Sequence, residues 1–255
     1  MPTRDKGTYS VQSVIKAIDL LEALASDGDR PTAPVLMRKL GLTRNKLFRL
    51  LATLEEKGLV ERDEENGVYL LGVRAFAMAQ HILQHANIIR LAHPVMEELA
   101  QKLDEAIYFT VMGSDDEVLF LDMVDCFQQV KTSNLLGKSL PFFTNAAGKV
   151  IKALTSLELF GRSPRRKQVP DPRALREELE EIRKRGVAVE IGGIGEGVCS
   201  VAVAIRDYAG KVVGALTLLA PTFRLVDRLD REVIPLMLEG AEQLSMKFGY
   251  TKGYV

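Results

Sequence analysis

Thr43, Arg44, Asn45, Lys46 and Arg49 stand close together in a stretch otherwise rich in leucine. Arginine and asparagine side chains can pair with base edges at two points, while lysine and threonine reach phosphate oxygens. Three further groups invite a chemical reading. His81 and His85 have the i, i+4 spacing of zinc ligands and His93 follows nearby, but no cysteine or carboxylate lies near them in sequence, and no metal is expected. Cys199 has no histidine beyond Pro94 to serve as its base, so it reads as a small buried residue or a pocket wall. The run Gly192, Gly193, Ile194, Gly195, Glu196, Gly197 matches a phosphate loop in composition only, because it lacks the Gly-Lys-Ser/Thr ending and leads into a strand. No catalytic residue and no cofactor is expected, and the chain reads as a non-enzyme.

Composition sets the frame for these groups. The chain has 255 residues, 47% of them apolar, which is enough for one large or two ordinary domains. Lys plus Arg equals Asp plus Glu at 34 each, so affinity for nucleic acid must come from a local basic surface. The N-terminus has no apolar leader and no run of eighteen apolar residues occurs, which points to a cytoplasmic protein without a membrane partner. The cysteines, Cys126 and Cys199, are far apart and fit reduced thiols.

Periodicity supplies the elements that position the first group. Residues 11–25 read as a helix that buries Val14, Ile15, Ile18, Leu21 and Leu24, with Ser10 as a candidate cap and Asp27, Gly28, Asp29 as the stop. Thr32 can cap a second short helix that has Pro34 in its first turn and closes at Gly41. Thr43 starts a third, residues 44–57, whose Leu47, Leu50, Leu51 and Leu54 face inward, and Gly58 ends it. Two short strands joined by Asn66-Gly67 follow as a hairpin. This is a helix-turn-helix with a wing, and it turns Arg44, Asn45 and Arg49 outward toward a major groove. Arg62 and Arg74 are phosphate candidates and Thr32 joins the set, whereas Asp63, Glu64 and Glu65 argue against deep insertion of the wing. The alternative is a module for protein assembly whose basic residues form a solvated face, ahead of a small-molecule-binding protein or enzyme.

The remainder reads as α+β. A sticky helix spans residues 73–89, and a second, 95–103, begins after Pro94. Strands follow at 106–112 and 118–124, around an acidic turn at Ser114, Asp115 and Asp116, with another near Val130. Thr144 or Asn145 opens a helix to Leu154, residues 171–185 form a charged helix, strands occupy 198–205 and 212–219, and a last helix covers 227–248. The expected layout is a DNA-binding domain at 1–71, a linker helix at 72–90 and a sensing domain at 91–255. Asn145, Ala146, Ala147 and Gly148 put small residues at a helix N-terminus, which suits either an anion or close packing.

The stretches SVQSVIKAIDLLEAL and LGLTRNKLFRLLATLEEKGLVERDEENGVYLLG resemble the N-terminal domain of the IclR family of bacterial transcriptional regulators. LLGKSLPFFTNAAGKVIKAL and RGVAVEIGGIGEGVCSVAVAIRDYAGKVVGALTLLAP are similar to segments of that family's second half. The resemblance implies a GAF-like α/β effector-binding domain and a linker helix that serves in dimer contact. It also implies a regulator, usually a repressor, that binds a palindromic double-stranded operator as a homodimer or dimer of dimers. The effector it implies is a small organic or aromatic acid. Mapped by resemblance, the pocket comprises Gln129, Thr132, Ala146, Ala147, Glu190, Val198, Ser200, Thr217 and Leu219. Two departures from the family pattern make its mouth more apolar and favour an aromatic or longer acid: a mobile glycine-rich loop at residues 191–195 in place of an acidic tract, and Phe143 in place of a histidine.

Overall fold

A computed structural model of the chain describes residues 11–26, 31–85, 87–113, 116–155 and 171–251. They belong to two compact units, Met1–Ala86 and Asn87–Val255. In the first, α1 (Gln12–Ser26), α2 (Ala33–Leu40) and α3 (Arg44–Glu56) precede a hairpin of β1 (Val60–Asp63) and β2 (Val68–Leu71), and α4 (Val73–His85) follows. Pro34 suits the start of α2, and Gly41 ends it with φ 60, its N–H donating to Met37 O. Leu36, Leu47, Leu51, Val60 and Tyr69 form the core with Leu20, Ala23 and Leu24 of α1.

That last set departs from the expected face of α1. Val14, Ile15 and Ile18 are exposed, and Leu21 is only partly buried. The helix has two adjacent apolar stripes, and periodicity alone does not say which one meets the core. Thr32 and Thr43 occupy N-cap positions, but neither side chain makes a capping hydrogen bond. The candidate cap Ser10 and the stop at Asp27, Gly28 and Asp29 lie outside the described residues.

The second unit runs α5 (Asn87–Leu103), β3 (Ala106–Met112), β4 (Glu117–Val124), β5 (Ser139–Pro141), α6 (Ala146–Thr155), α7 (Pro172–Arg185), β6 (Val187–Ile191), β7 (Val198–Arg206), β8 (Val212–Pro221), α8 (Thr222–Leu225) and α9 (Ile234–Lys247). Its six strands pair antiparallel in the order β5-β4-β3-β8-β7-β6. Strand residues alternate between two cores, one beneath α6 and α7, the other beneath α5 and α9. Both faces are covered, so β7 and β8 read as nearly unbroken apolar runs.

Three expectations change here, and one strand is added. The helix expected to open after Pro94 starts at Asn87 and contains that proline. An interior proline costs about 3 kcal/mol, and burial of Ala92, Val95, Met96, Leu99 and Leu103 outweighs it. No strand forms at Val130; residues 125–138 make an irregular connection and the strand comes later, as β5. The five residues of β6 form a strand that sequence reasoning does not name, although Gly186 and Gly192 bracket them. The last helix is broken by a π turn at Leu229–Val233 before α9. Among the described residues no helix is long and apolar enough to cross a membrane.

Candidate nucleic-acid interface and effector site

On α3 the buried residues are Leu47, Leu51 and Leu54. At about 100° per residue, the positions opposite that stripe are Asn45 and Arg49. Arg44 and Lys46 flank them on either side. All four are exposed, as is Thr43 at the leading end. Arg44 lies over the Phe48 ring at 5.6 Å, which stiffens its approach. The groove between α1 and α3, about 650 Å³, is lined by Val14, Ile18, Leu21 and Leu50, with Lys46 and Arg49 at its border.

The wing is shaped by one of its own acids. Asp63 Oδ1 accepts from the Glu65 and Asn66 N–H groups at 3.0 and 3.2 Å, and Gly67, at φ 65, donates its N–H to Asp63 O. Asp63 is thus engaged within the turn, and Glu64 and Glu65 remain exposed at the tip. Arg62 stacks near Tyr69 at 6.0 Å and Arg74 donates to Lys57 O at 3.3 Å; both are exposed. Thr32 is half-buried and bridges Val68, which ties the entry of α2 to the wing.

In the second unit, Glu190, Ser200 and Leu219 form one row across β6, β7 and β8, because they are direct cross-strand partners. Thr217 lies in the adjoining row between Ala202 and Tyr108. The alternation of the strands puts these residues, with Val198, on the face that packs against α6. The first turn of α6 closes over that face. Ala146 N–H donates to Ser200 Oγ at 3.2 Å, and Gly148 N–H to Asn145 Oδ1 at 2.8 Å. Two of the N–H groups expected to attract an anion are therefore already bonded. Gly148 permits the arrangement, since a Cβ there would stand 2.3 Å from the Phe142 backbone.

Glu190 does not stand alone. Lys149, one turn into α6 and buried, pairs with Glu190 and, at 2.8 Å, with Glu178. Sequence reasoning missed this lysine as part of the site. Its signal was a cation in the first turn of a largely apolar helix, where a helix dipole disfavours it unless a carboxylate is near.

Gln129 and Thr132 lie on the 125–138 connection. Gln129 is exposed, and among the described residues no hydrogen bond ties it to the sheet. Thr132 Oγ1 is buried with no hydrogen-bond partner among the described residues, the kind of group a ligand can satisfy. The connection is held by Leu135 N–H, which donates to Tyr108 Oη at 3.4 Å, and by Arg224, which donates to Val130 O at 3.0 Å. Burial pushes the Tyr108 phenol above its usual range, keeping it protonated. Arg224 is itself paired with the buried Glu105, at 2.5 and 2.7 Å. The glycine-rich loop, expected to be mobile, is a hydrogen-bonded turn in which Gly192 N–H donates to Val198 O at 2.8 Å. Gly193 lets it approach Thr144, whose carbonyl oxygen would be 2.4 Å from a Cβ.

Cys199 faces the opposite core, beneath α5 and α9, and so is not a wall of this pocket. Burial, and then the charge of Glu190, pushes its thiol up to about 11. His93 Nδ1 lies 2.8 Å from Asp122 Oδ2. Among the described residues no group of histidine, cysteine and carboxylate side chains could hold a metal; the side chains of His81 and His85 lie outside them.

Residues 13–64 match the IclR helix-turn-helix domain, and residues 80–246 match the C-terminal part of the bacterial transcriptional regulator IclR. The chain belongs to the IclR family. It is 27% identical over 254 residues to the acetate operon repressor of Salmonella typhimurium, covering 96% of this chain and 93% of that one. The crystal structure of an IclR regulator from Silicibacter sp. TM1040 is 26% identical, with a TM-score of 0.80 over 94% of this chain and 97% of that one. An IclR homologue from Microbacterium hydrocarbonoxydans, solved with 4-hydroxybenzoate, shares the fold at a TM-score of 0.77 and 23% identity, over 94% of this chain and all of that one. As an IclR-family regulator, the chain combines a winged helix-turn-helix domain with a C-terminal α/β effector domain of GAF-like architecture.

Proposed function

We propose that this regulator is a repressor that binds a palindromic operator as a homodimer or a pair of dimers, and that a small organic or aromatic acid alters its hold on DNA. The observation that carries the DNA-binding part is the position of Asn45 and Arg49, exposed opposite the buried leucine stripe of α3. We assign base reading to these two, and phosphate contact to Thr32, Thr43, Arg44, Lys46, Arg62 and Arg74. A two-fold pair of such helices would meet half-sites about one helical turn apart. The exposed apolar side chains of α1 (Val14, Ile15, Ile18) and α4 (Val73, Phe76, Met78) supply surface for self-association. We take residues 72–90, which comprise α4 and the start of α5, as the linker between a DNA-binding domain at 1–71 and a sensing domain at 91–255.

The effector is assigned to the α6 face of the sheet, with Ala146, Ala147, Glu190, Val198, Ser200, Thr217 and Leu219 around it and Gln129 and Thr132 on the covering connection. An acid entering there would meet Lys149 and could displace Glu190 as its partner. The 4-hydroxybenzoate bound by the Microbacterium homologue supports an aromatic acid. The high thiol pKa and inward-facing position of Cys199 favour binding without turnover. We place the protein in the cytoplasm with its DNA. For the ligand to matter, it must distinguish DNA-competent from incompetent states, typically by ~1–3 kcal/mol.

The decisive experiment is a gel-shift titration with the promoter region beside the gene, at fixed salt, with competitor DNA and a panel of acids. Selective binding shifted by one acid is expected; binding that is sequence-blind and only salt-sensitive would overturn the reading.

A further inference from the structure

A second cleft, of about 300 Å³, opens where α7 turns into β6. It lies beside residues 203–206 of β7, about 10–20 Å along that strand from Ser200. β6 begins at Val187, opposite Val203, so among the described residues β7 has no neighbouring strand on this side from Ala204 onward. The floor is apolar, with Leu154, Leu238 and Ala241, and Tyr250 adds an aromatic wall.

The rim is cationic. Arg183, Lys184 and Arg185 come from the last turn of α7, and Arg206 from β7. Complementing the helix dipole accounts for basic residues at the end of α7, but not for Arg206 on another element. Two of the guanidinium groups are already oriented: Arg183 Nε donates to Ala153 O at 2.6 Å, and Arg206 Nη1 to Gly210 O at 2.7 Å. Each keeps further N–H groups for an anion. Arg185 is exposed and has no hydrogen-bond or ion-pair partner among the described residues. Lys184 is paired with Glu181 in solvent and adds little. Glu242, the single carboxylate among the lining residues, has an interaction partner of its own.

We propose that this cleft is a second ligand site, for a small organic phosphate. Three guanidinium groups exceed what one carboxylate would offset, whereas a phosphate monoester carries a charge of about −1.5 to −2 and accepts from arginine forks. The volume lies at the small end of ligand pockets, and its apolar floor and tyrosine suit a ring or short chain.

Phenyl phosphate is the probe, titrated calorimetrically into the full-length protein, with inorganic phosphate and benzoate as controls. Saturable binding of phenyl phosphate, tighter than that of either control, is expected. Arg185→Gln should weaken it at least roughly tenfold with little change in the melting temperature, because that side chain makes no hydrogen bond or ion pair among the described residues. Tyr250→Ala should weaken phenyl phosphate more than inorganic phosphate. Ser200→Ala, in the other site, should leave it unchanged. No saturable binding up to about 10 mM, equal affinity in Arg185→Gln, or loss of binding in Ser200→Ala alone would each overturn the proposal.

Discussion

Glu190 reaches from β6 to form an ion pair with Lys149 of α6, whose surface is 5% exposed, so the charge of the sheet-side carboxylate is neutralised inside the candidate effector site. Removing one partner of such a pair strands the other in a poorly solvated place. Lys149→Met should therefore destabilise the effector domain by about 2–3 kcal/mol, somewhat less than for a fully buried pair because Glu178 and Glu190 keep some solvent. Glu190→Gln should cost less, since Glu178 still holds the lysine. It should also tighten binding of an aromatic acid, because one of the two carboxylates that compete for Lys149 is removed. Urea unfolding and calorimetry of the two variants check this, and equal stability loss with unchanged acid affinity would refute it.

Asn45 and Arg49 point the same way from α3, one turn apart, and their loss should be felt differently from that of Arg44. Arg49→Ala and Asn45→Ala should each weaken operator binding by about 1–3 kcal/mol and relax sequence preference. Arg44→Ala, beside Phe48, should weaken specific and non-specific binding alike and flatten the salt dependence. Gel shifts on operator and scrambled DNA at several salt concentrations separate the two patterns. A uniform effect of all three variants would reassign Asn45 and Arg49 to phosphate.

Much of this was legible in the residues. The leucine stripe of α3, Gly41 and the Asn66-Gly67 turn announced the helix-turn-helix and its wing, because each follows from local rules of period or φ. Where sequence reasoning failed, tertiary contacts decided. Pro94 is tolerated because the stripe around it is buried on both sides, and β6 is held by pairing with β7 rather than by its own pattern. The row Glu190, Ser200, Leu219 depends on register among three strands, a long-range fact that no window of sequence contains. Resemblance named those positions, but the lysine that neutralises Glu190 became visible only when α6 was laid across the sheet.

Cys199 gives a pH signature. Burial lifts its thiol from about 9 to about 11, so the folded chain keeps a proton that the unfolded chain releases first. Stability from this group is intact below pH ~9 and is lost as pH rises through ~11, to a total of roughly 2–3 kcal/mol. Comparing urea unfolding of the wild type and Cys199→Ala from pH 8 upward isolates the effect, since other titrating groups cancel. The wild-type advantage should shrink with rising pH; a constant difference would contradict the assignment.

Ile18 is half exposed on the second stripe of α1, beside Val14 and above the groove to α3. Burying it against a second copy would contribute about 1 kcal/mol or more per chain, whereas an aspartate there would be desolvated without a partner. The same residue is half exposed and is not one of the buried core residues, so Ile18→Asp should leave the fold of the helix-turn-helix intact. It should lower the mass of the assembly in sedimentation at low micromolar concentration and weaken binding to a palindromic operator far more than to an isolated half-site. That contrast matters because loss of a DNA-reading side chain would weaken both equally. A variant that sediments like the wild type and keeps its preference for the full operator would remove α1 from the interface and leave the exposed residues of α4 as the remaining surface for association.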